Sequence, residues 1–217
     1  MIPIQYALRR RMMISVNKGL PISDLPLGTL IRIADSDGGQ GDANYEIADI
    51  NNFVSGGVVL VRKNIHSKSN FGSSNIYPGG TLDNKMTSIY NSLPEKLRSK
   101  IMDATFALDV SGSITRKVFA LTYTMAGFGA NSGTTEGKAL QHYTSNANRI
   151  KKYNGSAGYW WLSSCYYVSN SRYVGTYGTA DNDYPSISCG VVPAFVIPSE
   201  TLCSVTPNTD GSYNLIL

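Results

Sequence analysis

Residues 153–217 carry one basic residue, Arg172, against Asp181, Asp183, Glu200 and Asp210, and contain no lysine. Within them, Tyr159 to Tyr184 holds six tyrosines among many Ser, Asn and Gly residues. This stretch constrains the fold most. Short strands between loops fit it best, expected at 159–163, 172–177 and 191–197, with the chain closing at 212–217. More apolar segments must hold it at both ends, and two are present: Trp160-Trp161-Leu162 before it and Val191 to Ile197 after it. Trp160, Trp161, Leu162, Val191, Phe195 and Ile197 are accordingly read as scaffold.

Residues 1–152 differ in character, with 18 Lys/Arg against 11 Asp/Glu, a net of +7 within a chain of +4. Only Arg9, Arg10 and Arg11 cluster, which is too little for the basic face of a nucleic-acid binder. Residues 1–19 read as a separate arm for assembly or oligomerisation, with a short helix over Ile4–Met13. The basic start is followed by neither an apolar run nor a small-residue cleavage site, so no signal peptide is expected. No apolar run approaches the roughly 18 residues of a membrane span.

The 217 residues, 42% of them hydrophobic, are enough for a real core. Strands are expected over Thr29–Ile33, Tyr45–Ile50 and Gly57–Arg62. The continuous β-branched run of the last suggests burial on both faces. Met86, Ile89, Tyr90 and Leu93 have helical spacing behind a cap at Thr81 or Asp83, and Pro94 suits the first turn of a second helix. Strands return at 106–108 and 118–123. A third helix is expected over 136–152, with Leu140, Tyr143, Ala147 and Ile150 on one face. The mixture reads as α+β: one domain over 20–217, with short antiparallel strands, two to three helices and a loop-rich C-terminal third.

Motifs for catalysis are sparse. The two histidines, His66 and His142, lack an obvious nucleophile partner. Cys165, Cys189 and Cys203 are too far apart in sequence for a zinc knuckle and too few for a disulfide scaffold. The Asp35, Asp37, Asp42 loop lacks a full calcium pattern and reads as a turn. No phosphate loop is present. No catalytic residue, metal or cofactor is expected. Tyr with Ser, Gly and Asn is instead the composition of a binding surface, because tyrosine offers a large amphipathic area at low entropy cost. The expected face is Ser164, Tyr166, Tyr167, Ser169, Asn170, Arg172, Tyr173, Tyr177, Asp181, Asn182, Asp183 and Tyr184, with the aromatic rings supplying area and Arg172 and the acids supplying orientation.

Three stretches carry a resemblance: Arg149-Ile150 through Asn154-Gly155, Tyr159-Trp160-Trp161-Leu162-Ser163-Ser164, and Gly190-Val191-Val192-Pro193-Ala194-Phe195. They resemble a domain-of-unknown-function family of gut Firmicutes and their prophages, which reads R-I-x-x-x-N-G, W-W-L-R-S-P and G-V-R-P-A. Pro26–Ile31, Leu60–Ile65 and Val118–Thr122 extend the likeness over roughly 25–198. Ser163 and Val192 stand where the family has arginine. The C-terminal arrangement also looks like the C-type-lectin fold of variable proteins made by diversity-generating retroelements, in which adenine-directed codons never yield Lys, Glu, Gln, Met or Trp. Ser163 to Ile197 contains none of these five.

The resemblance implies a C-type-lectin-like domain with a variable region over 163–190. It implies a phage tail-tip or bacterial-surface protein, made in the host cytoplasm, that binds a host surface protein or glycan. The protein would act as a homo-oligomer, a trimer among the options, without nucleic acid or membrane insertion. The alternatives are a structural tail or surface component that is not diversified, and an oxidase of the formylglycine-generating type using Cys165 and Cys189.

Overall fold

The computed structural model describes residues 19–34 and 43–217. The expected helix over Ile4–Met13, the rest of the arm up to residue 18, and the Asp35–Asp42 loop lie outside them.

Among the described residues seventeen strands dominate, in four sheets. The largest has eight strands: β1 (Leu20–Pro21), β2 (Leu30–Ile33), β3 (Ala43–Ile50), β4 (Gly57–Arg62), β8 (Val118–Phe119), β15 (Ala194–Pro198), β16 (Leu202–Cys203) and β17 (Tyr213–Ile216). They run in the order β1-β16-β17-β2-β3-β4-β15-β8, curved as a half-barrel and antiparallel except where β17 meets β2. All six residues of β4 are buried, because β3 and β15 flank it in the sheet and core side chains cover both faces.

The second sheet has five strands: β5 (Ser67–Ser69), β11 (Trp160–Tyr166), β12 (Asn170–Val174), β13 (Ala180–Asp183) and β14 (Cys189–Val191). Their order is β13-β12-β11-β14-β5. The expected strand over 191–197 is two strands, β14 and β15, divided at Pro193, which has no N–H for a ladder. That division carries the chain from the small sheet to the large one. Two hairpins complete the strands, β6 (Ala104–Leu108) with β7 (Gly112–Arg116), and β9 (Lys151–Tyr153) with β10 (Ser156–Gly158).

The helices are α1 (Thr81–Ser92), α2 (Glu95–Arg98) and α3 (Asn146–Arg149). α1 buries Leu82, Met86 and Ile89. Neither Thr81 nor Asp83 caps it, since Gly80 is the cap residue. The Asp83 carboxylate instead receives both Nε and Nη2 of Arg116, at 2.8 and 2.7 Å.

The α+β, C-type-lectin-like expectation is overturned: 39% of residues are in strands and 12% are helical. The helix expected over 136–152 accounts for much of the difference. Two of its backbone N–H groups bond away from the segment, Leu140 donating to Met125 O and His142 to Ala48 O, while Tyr143 and Thr144 make only short turn bonds to Leu140 O and His142 O. Only the four residues of α3 are helical. Ala147, expected on the apolar face, is exposed, while Arg149 is buried with Nε on Ala126 O and Nη2 on Gly127 O and Tyr143 O. The spacing of Leu140 and Tyr143 marked core contacts of an irregular turn, not a helix face.

Trp160 and Trp161 are fully buried, with their indole N–H groups donating to Arg149 O (2.9 Å) and Ser69 O (3.0 Å). Phe71 meets Trp161 edge-on at 5.6 Å. Among the described residues no helix is long and apolar enough to cross a membrane.

Candidate functional site

β11 and β12 form an antiparallel pair with Tyr166 opposite Asn170 and Trp161 opposite Tyr173, interrupted by a bulge between Trp161 and Cys165. Side chains alternate across a strand, so Asn170 and Arg172 project to one side of β12, and Ser171 and Tyr173 to the other. β13 continues the pattern: Asn182 pairs with Arg172, Asp181 with Tyr173 and Asp183 with Ser171. Eleven of the twelve residues expected to make one face, all but Ser164, are therefore distributed over two faces and two ends of the sheet.

On the first face the Arg172 guanidinium carbon lies 3.7 Å from the Tyr166 ring centre and 4.5 Å from that of Tyr123. Asn170 Nδ2 donates to Asn182 Oδ1 at 2.7 Å beside it. On the second face Tyr173 packs edge-on against Trp161 and Tyr159. Burial and the adjoining Asp181 carboxylate push the Tyr173 phenol up to about 12. Tyr177 lies in the turn joining β12 to β13, at the opposite end of the sheet from Tyr167, Ser169 and Tyr184.

Ser164 is not on any face and is corrected here as a contact residue. It is wholly buried, accepts from the Tyr123 N–H at 2.7 Å and donates to Glu136 Oε2. The β11 bulge turns this serine inward. Burial raises the Glu136 carboxyl above its ordinary value, against hydrogen bonds from Ser164, the Asp109 N–H and Asn131 that lower it. Asn131, also wholly buried, donates to Cys165 O at 2.8 Å and accepts from Arg172 Nε at 3.1 Å. Ser164, Glu136, Asn131 and Arg172 thus form one continuous polar chain from core to surface.

The turn between β11 and β12 is the most exposed apolar feature of the region. Tyr167 is 73% exposed and Val168 96%. Tyr167 holds a left-handed φ of 50°, which an aromatic side chain rarely adopts. Asn75 secures the turn by donating to Tyr167 O at 2.8 Å. A groove of about 510 Å³ runs along one flank, lined by Ile76, Val110, Tyr167 and Val168, with Asp109 and Cys165 among the polar atoms. A second cleft of about 380 Å³ lies on the other flank, between Val168, Ser169 and Tyr184. Val168 is the ridge between them.

Sequence reading missed Ile76, Val110, Asn75, Tyr123, Asn131 and Glu136, which come from four separate stretches. The one available signal was Val168 itself, an apolar residue in the middle of the polar segment.

The Cys165 thiol is raised by burial and by Asp109 and Glu136, and Cys189 is pushed up to about 11 by burial and Asp183. Protonated thiols are poor nucleophiles. Cys165 lines the 510 Å³ groove, whereas Cys189 lines another cavity with Lys68 and Tyr159. His142 sits 3.9 Å from Glu46 in an internal cluster, and His66 is wholly buried with Nδ1 2.9 Å from Ser67 Oγ. Among the described residues no group of three or more His, Cys, Asp or Glu side chains could hold a metal ion.

A family model described as a domain of unknown function (DUF6273) matches residues 32–199, which include both sheets' central strands and the groove. No curated protein and no solved structure matches the chain.

Proposed function

This chain belongs to the DUF6273 family, and from that premise we propose that it is a ligand-binding protein whose contact surface is the β11–β12 turn and its two flanking clefts. The single observation that carries the reading is Val168 and Tyr167, held out in solvent on a turn whose base is fixed by the buried Ser164–Glu136–Asn131 chain. A soluble domain gains nothing in stability from such exposure. Burying Val168 on a partner would contribute about 1.5–3 kcal/mol, and rigid scaffolds commonly carry binding residues on their loops.

The resemblance to a prophage-associated family supports a narrower form: a receptor binder of a phage tail tip or bacterial surface, recognising a host surface protein or glycan. Each contact of this size is weak, so display as a homo-oligomer would multiply it by avidity. The retroelement resemblance supports variation of the segment 163–190 between close relatives, confined to positions free of packing.

The test is adhesion. Fluorescently labelled protein is incubated with a panel of gut Firmicutes cells, and cell-bound fluorescence is measured. At least one strain should bind, and Val168→Ser and Tyr167→Asn should each reduce binding tenfold or more. Absence of binding to every strain, or variants that adhere as well as the parent, would overturn the reading.

A further inference from the structure

Arg172 is the single Lys or Arg after residue 152, and its surroundings differ from those of an ordinary solvated arginine. Its Nε is used, donating to Asn131 Oδ1 at 3.1 Å. The orientation of the Asn131 amide is set from within, because its Nδ2 donates to Cys165 O at 2.8 Å and to Glu136 Oε1 at 3.4 Å, leaving Oδ1 for the arginine. The Tyr166 and Tyr123 rings hold the guanidinium at 3.7 and 4.5 Å. Among the described residues neither Nη nitrogen has a hydrogen-bond acceptor and no carboxylate pairs with the group.

The absence of an internal carboxylate follows from strand register. The β13 sequence Asp181-Asn182-Asp183 sets its amide opposite Arg172 and its two acids opposite Tyr173 and Ser171, on the other side of the sheet. A shift of one residue would supply an ion pair. The observed register leaves the charge unmatched beside the groove, since Tyr166 packs on Tyr167 at 4.2 Å between ring centres. A fixed guanidinium with its two Nη groups free matches the two oxygens of a carboxylate or phosphate.

We infer that Arg172, positioned by Asn131, Tyr166 and Tyr123, binds an oxyanion of the ligand, a carboxylate or a phosphate, at the edge of the groove. This deepens the binding reading above and rests on it for the rest of the ligand.

The experiment is a titration followed by the NMR signal of the Arg172 Nε–H, using glucuronate as carboxylate, glycerol 3-phosphate as phosphate and glucose as neutral control. At least one anion should move this signal saturably while glucose does not, and which anion binds tighter identifies the oxyanion. Arg172→Lys keeps the charge without the fork and should bind tenfold or more weaker, followed through the Tyr166 ring signals. Asn182→Asp adds a carboxylate beside the guanidinium at nearly unchanged shape and should weaken binding by a similar factor. Thermal melts of both variants confirm folding. Equal shifts with glucose, no saturable shift with either anion, or Asn182→Asp binding like the parent would each overturn the inference. A protein that adheres to no cell yet titrates with an anion refutes the adhesion reading alone. One whose adhesion survives both Arg172→Lys and Asn182→Asp, with no anion response, refutes this inference alone.

Discussion

Two residues beneath and on the β11–β12 turn show how the site is stressed. Glu136 is buried, and its carboxyl is raised above the usual 4.5. Below that value both folded and unfolded chains carry the proton, so the group has no effect. As pH rises, the unfolded chain ionises first, and Glu136 subtracts stability until the folded carboxyl also ionises. Urea midpoints measured from pH 4 to 8 should therefore show Glu136→Gln gaining on the parent as pH rises. A parallel pair of curves would contradict the raised carboxyl. Tyr167 stores strain of a different kind, at φ 50°. Left-handed backbone costs an ordinary L-residue about 1–2 kcal/mol, and Asn tolerates it better. Tyr167→Asn should thus raise stability by up to about 1 kcal/mol while losing cell adhesion, a trade expected where strain sits at a functional position. Composition reveals the tyrosine but not its conformation, because φ is imposed by the turn that Asn75 secures.

Two contacts between elements tie distant parts of the chain together. Glu46 of β3 and Lys151 of β9 form a buried ion pair, joined by the more exposed Lys63 at 2.6 Å. Burial pushes the Glu46 carboxyl up, and the charges and hydrogen bonds of Lys151 and Lys63 overcome it, so its net shift is downward. Burial lowers the Lys151 ammonium, against Glu46. Removing one partner of such a pair costs about 3–5 kcal/mol. Glu46→Gln should show that loss in urea denaturation at neutral pH and recover part of it at higher pH, where Lys151 gives up its stranded proton. The second contact is the β12–β13 turn against α3. Gly178 has φ +75°, and an added Cβ would lie 1.9 Å from Asn146 O. Gly178→Ala should cost more than about 1 kcal/mol and loosen the hairpin that carries Arg172, seen as faster amide exchange across β12 and β13. Neither partner could be found from local spacing, since Glu46 and Lys151 are far apart in the chain and Asn146 lay in a segment that read as helix.

At the scale of the molecule, Gly190 to Phe195 passes from one sheet to the other and ties the variable-looking segment to the main core. Sequencing the gene from many members of one population should find substitutions at exposed Tyr167, Val168, Ser169 and Tyr184, and few at buried Ser164, Ser171 and Val174. An even spread, or an invariant segment, would contradict diversification. The sequence by itself determined the strands whose signal is local: the Gly57–Arg62 run, the two tryptophans and the closing apolar segment announce burial because no exposed position would favour them. It also located the polar, tyrosine-rich stretch between them. It misled over 136–152, where core contacts at helical spacing belong to a turn whose Leu140 and His142 N–H groups bond to Met125 and Ala48. Tertiary structure alone decided that Ser164 turns inward at a bulge, that Asn182 rather than an aspartate faces Arg172, and that Ile76, Val110 and Asn131 converge on the turn. Those outcomes depend on register and on which distant strands pair, and a shift of one residue in register exchanges every side chain between the two faces of a sheet.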